Sequence, residues 1–86
     1  MRITKRVSSY NGDTTFTLTQ GKMEVTLTFQ SRYGKPIQPY ISHGSSWSGA
    51  SSEESLTNAQ DLISLLSRAT FIAMTGSSFD FGVENE

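Results

Sequence analysis

A single histidine, His43, stands next to a serine-rich run, and Asp13, Asp61 and Asp80 are spread along the rest of the chain. Those residue types are the ingredients of nucleophilic acyl transfer, in which histidine takes the serine proton and a carboxylate orients the imidazole. The local signature of that chemistry is missing. No serine lies on a strand-to-helix elbow, and no backbone amide pair is set up beside one to hold an oxyanion. His43 therefore reads as a turn or loop residue, and no catalytic residue is assigned.

Metal chemistry fares no better, because the chain has no cysteine and its carboxylates follow no ligand-spacing pattern. The seven glycines fall at turn positions, and none opens a phosphate-cradling loop between a strand and a helix. No metal, nucleotide or other cofactor is expected. The paired acids Glu53 and Glu54 precede the predicted helix, where their charge suits the positive end of its dipole.

Binding surfaces are better supported. Arg2 and Arg6 share one face of the first predicted strand, and Lys22 sits in a nearby turn. These three are the candidates for contact with single-stranded nucleic acid. The weak point is stacking: the outward strand positions are mostly threonine, and only Tyr10, Tyr33 and Tyr40 offer rings. Protein-interface candidates are Phe71 and Arg68 on the helix, Trp47 in the serine-rich loop, and Phe79 and Phe81 near the C-terminus. Trp47 either plugs one end of the core or anchors a partner.

At 86 residues with 35% hydrophobic content, the chain has material for one core and no second. It reads as a single domain, 1–86. Without cysteine it lacks the disulfide and zinc devices that reinforce many small folds, so packing or self-association must supply stability. The basic start, Met1 to Arg6, is followed by no apolar run of signal-peptide length, and no stretch approaches the ~18 apolar residues of a membrane span. A soluble, cytoplasmic protein without a membrane partner is expected. Residues 1–42 carry six Lys and Arg against two acids, whereas 43–86 carry one Arg against six acids. Such halves attract each other within the fold, between copies, or on a complementary partner.

Period-two alternation predicts strands over Arg2–Ser9, Thr14–Thr19, a third with Met23, Val25, Leu27 and Phe29 inward, and Ile37–Ser42. Asn11-Gly12 predicts a tight hairpin, Gln20-Gly21-Lys22 a second reversal, and Tyr33-Gly34-Lys35-Pro36 a third. Pro39 places the fourth strand at an edge or bulge. Residues 43–55 read as a Gly/Ser-rich loop, and Thr57 with Gln60 as a capping box opening a helix over about 57–74. On that helix Ala59, Leu62, Ile63, Leu65, Leu66, Ala69, Ile72, Ala73 and Met74 occupy a broad apolar arc, with Phe71 outside it among polar residues. Residues 77–86 read as a short fifth strand or an ordered tail.

The fold class predicted is α+β, an antiparallel meander of three to four strands packed against one C-terminal helix. In general build, a short cysteine-free meander followed by one helix and an acidic end, the chain resembles small accessory proteins of bacteriophages and prophages. No residue motif ties it to a family. The function expected is non-catalytic: a protein-interaction module that pairs with itself as a homodimer or docks on a host protein, with nucleic-acid binding through the basic sheet face as the alternative.

Overall fold

Three long alternating segments form the centre of the structure: β1 (Arg2–Val7), β2 (Thr14–Gln20) and β3 (Met23–Phe29). The structure is a computed structural model, and it describes residues 1–32, 35–36, 39–44 and 51–85. A two-residue hairpin, β4 (Ser31–Arg32) with β5 (Lys35–Pro36), leads to β6 (Tyr40–Gly44), which pairs with β3. After α1 (Ser52–Thr75) comes β7 (Val83–Asn85), which pairs parallel to β1. The five-stranded sheet has the order β6-β3-β2-β1-β7, an antiparallel meander with one parallel edge strand, and α1 lies over β2 and β3. This is the α+β architecture the alternation predicts, with the C-terminal segment forming the fifth strand.

Alternation decides which side of the sheet meets the helix. Phe16 and Leu18 of β2 and Met23, Val25 and Leu27 of β3 point to α1, where they bury Leu65, Ala69 and Ile72. Ile3 and Phe79 close the cluster on the β1 side. Phe16 is the hub: its ring meets Phe29 and Phe79 edge-on at 5.9 and 6.4 Å, and Lys5 Nζ lies 5.5 Å from its centroid. The opposite face of the sheet is covered by no element among the described residues.

Several local details depart from the sequence reading. The first reversal is a six-residue loop rather than a tight hairpin. Ser8 Oγ accepts the amides of Tyr10 and Asn11, Asn11 Oδ1 accepts the Asp13 amide, and Gly12 takes a φ of 78°. The helix begins at Ser52, more than a turn before Thr57, because Ser51 is the N-cap and its hydroxyl accepts the Glu54 amide at 3.1 Å. Glu53 and Glu54 thus lie inside the first turn, still at the favourable dipole end. His43 is no loop residue: it belongs to β6, in register with Val25. As Pro39 requires, β6 starts after it and lies at the sheet edge.

The turn between β2 and β3 is where the helix is tied to the sheet. Gln20 Nε2 donates to Asp61 Oδ1 at 2.8 Å, and Gly21 sits beneath the same carboxylate at a φ of 60°. A Cβ at Gly21 would stand 2.7 Å from Asp61 Oδ2. Gly21→Ala is expected to cost about 1–2 kcal/mol, since the left-handed backbone disfavours any L side chain and the ion must also shift. Urea unfolding measures it. Gly21→Asn, which tolerates this backbone region better, should lose less, and equal losses would mean that the clash rather than the dihedral dominates.

Candidate functional site

The helix α1 carries two apolar faces. At 3.6 residues per turn, Leu56, Ile63 and Met74 fall within about 20° of one line, and Phe71 stands about 60° to its side. That line is diametrically opposite Leu65, the centre of the buried face. The sequence arc is therefore divided: Leu62, Leu65, Leu66, Ala69, Ile72 and Ala73 serve the core, whereas Ile63 is 65% and Met74 83% exposed. The helix is rotated so that its densest apolar arc meets β2 and β3, and one flank of the arc is left outside.

Phe71 is 55% exposed. One edge of its ring rests on Phe79 at 6.0 Å, so the C-terminal segment covers it only in part. Phe79 itself is 8% exposed and packs on Phe16, which makes it a core residue that supports Phe71 from below. Phe81, two residues on, is exposed beside the turn into β7. A concavity of about 580 Å³ runs along the outer face of the helix, lined by Ile63, Ser64, Ser67, Arg68, Phe71 and Met1. Its centre is made of two serines. Thr70 Oγ1 donates to the Leu66 carbonyl at 2.8 Å, so this hydroxyl makes no demand on a partner surface. Leu56 was missed by the sequence reading, which began the helix at 57; its spacing of seven residues from Ile63 is the signal that finds it. Trp47, the remaining interface candidate, lies outside the described residues.

The three nucleic-acid candidates are not brought together. Arg2 and Arg6 do share the open face of the sheet, but Arg2 Nε donates to Glu84 Oε2 at 3.0 Å. Lys22 lies on the helix side, in a cleft with Glu53, Glu54 and Asp61. The strand register sets out the open face in rows. Arg6, Thr15, Thr28 and Tyr40 cross β1, β2, β3 and β6, and Thr4, Thr17, Thr26 and Ser42 form the next row. Threonine dominates this face, as the sequence predicts. Asp13, Glu24 and Glu84 stand among or beside the two arginines, so among the described side chains the face is not basic.

Among the described residues no three His, Asp or Glu side chains come close enough to hold a metal ion, and no helix is long and apolar enough to cross a membrane. Comparison of the chain with known protein families, with curated proteins and with solved structures finds no match.

Proposed function

We propose that this chain is a small non-catalytic protein-interaction module that pairs with a second copy of itself through the outer face of α1. The observation that carries the reading is the second apolar line of the helix, Leu56, Ile63 and Met74 with Phe71 at its side, diametrically opposite the core and exposed. Exposed Gln60, Ser67 and Thr70 interrupt the line, and burial of its apolar side chains, at about 25 cal/mol per Å² of apolar surface, favours their removal from water.

A second copy suits the stripe because the stripe is self-complementary. A two-fold axis level with residue 65 sets two antiparallel helices side by side, with Leu56 level with Met74, Gln60 with Thr70, and Ile63 with Ser67. Large residues meet at the ends, and near the crossing each Ile63 faces the small Ser67 of the other copy, which allows close approach. A helix of 24 residues is about 36 Å long and about 10–12 Å across, so contact along its whole outer face buries roughly 360–430 Å² per copy, about half of the ~800 Å² of a standard interface.

Light scattering on a sizing column tests this. The expected mass is twice the 9.5 kDa of one chain. A single-chain mass throughout the micromolar range would overturn self-pairing and leave a foreign protein, such as a host protein, as the occupant to seek. Nucleic-acid binding is the less favoured reading, because Arg2 is paired, Lys22 faces acids, and among the described side chains Arg6 alone remains on the open face.

A further inference from the structure

The open face of the sheet holds a second concavity, at its β1–β2 hairpin end and on the opposite side of the sheet from α1. Its volume is about 420 Å³, within the range of small-molecule clefts. Thr15, Thr17 and Thr28 make the floor, Arg6 one wall, Tyr40 the facing wall, and the hairpin residues Ser8, Asn11 and Asp13 close the end. We propose that this concavity binds a short neutral saccharide, with the Tyr40 ring as its stacking platform.

The donor and acceptor inventory argues for that ligand class. Each saccharide hydroxyl both donates and accepts, so a site for it needs both kinds of group. Arg6 supplies only donors, Asp13 only acceptors, and the hydroxyls and the Asn11 amide supply both. A phosphodiester strand offers acceptors alone around its charge and would be repelled by Asp13. It would also want a basic groove and successive stacking rings, whereas the described side chains that line this concavity supply one arginine, one carboxylate and one ring.

The groups are held in place before any ligand arrives. Asp13 Oδ1 accepts the Ser31 amide at 2.9 Å, and Asn11 Oδ1 accepts the Asp13 amide at 3.0 Å. The Thr15 and Thr28 hydroxyls lie 3.5 Å apart across the strands. Ser8 Oγ accepts two hairpin amides, which leaves its proton to be donated outward. The ring of Tyr40 is half exposed on a strand that places it across β3 from Thr15. Flat apolar C–H faces of a sugar ring stack on such an aromatic surface while the ring's hydroxyls reach the floor.

The test is a titration of the ¹⁵N-labelled intact chain with neutral trisaccharides of gluco, manno and galacto configuration and with chitotriose, followed by amide shifts. Millimolar binding of at least one, with shifts centred on Asn11, Thr15, Thr17 and Thr28, is expected. Tyr40→Ala should weaken it about tenfold, and Arg6→Ala should weaken it as well, each variant's spectrum showing that the fold is kept. No shift with any of these sugars overturns the proposal. Shifts at the same amides with oligothymidylate alone overturn it in favour of nucleic acid.

Discussion

Phe16→Ala is expected to lower stability by about 3–5 kcal/mol, the range for truncating a fully buried phenylalanine. Phe16 has no exposed surface. Among the described residues it is the one ring that touches Phe29 and Phe79 together, and Lys5 lies over its face. Its removal leaves a cavity under the helix and also strips two edge-on aromatic contacts worth about 0.5–1.5 kcal/mol each beyond burial. A chain of this length has roughly 4–13 kcal/mol of total stability, so the loss takes about a quarter of it or more. Thr17→Ala, one residue along the same strand but on the open face, should change stability by no more than about 0.5 kcal/mol. Urea denaturation of the two variants beside the parent decides the matter. Equal midpoints for Phe16→Ala and the parent would mean that the centre of the core lies elsewhere.

Ile63→Asp and Phe71→Asp are each expected to turn a dimer into a folded monomer, shifting the dissociation constant by at least about a hundredfold. Each places a charge inside a desolvated seam, and at position 63 the two carboxylates near the axis repel as well as lose their water. Ile63 stands closer to the axis and touches none of the aromatic cluster, so it separates association from folding. Phe71 leans on Phe79, and its replacement is expected to cost some stability besides. Light scattering gives the mass and far-ultraviolet circular dichroism the fold. A dimer that survives Ile63→Asp would remove α1 from the interface. A monomer that has lost its helix would mark a folding defect in that variant, and Arg68→Glu, an exposed rim substitution, then supplies the second reading through a weaker dimer with the helix intact.

The strand alternation was legible because it depends on neighbours two apart. Phe16, Leu18, Met23, Val25 and Leu27 all point inward as their spacing says, and Gly12 and Gly21 adopt the positive φ that their turns require. The helix start was not. Ser51 and Thr57 are both competent caps, and the earlier one prevails with Glu53 and Glu54 in the first turn and Asn58 buried beneath the second. The order of charges was legible too, but the cluster it suggested was not. Arg2, Arg6 and Lys22 are close in the sequence pattern, yet strand pairing gives Arg2 to Glu84 and the turn carries Lys22 round to the acids of α1.

The amino-acid sequence by itself determined the α+β class, the meander order of the first three strands, the inward faces of β2 and β3, and the threonine character of the open face. These follow from backbone preferences and periodicities that act over a few residues. Only the tertiary structure decided which part of the apolar arc of α1 is buried, that Phe79 enters the core while Phe81 stays outside, and that β7 pairs parallel to β1. It also set Arg6, Thr15, Thr28 and Tyr40 in one row. The physical reason is competition: α1 and the C-terminal segment hold more apolar side chains than one face of a small sheet can cover. Which of them remain outside is settled by packing between segments far apart in the chain, and no local pattern records that outcome.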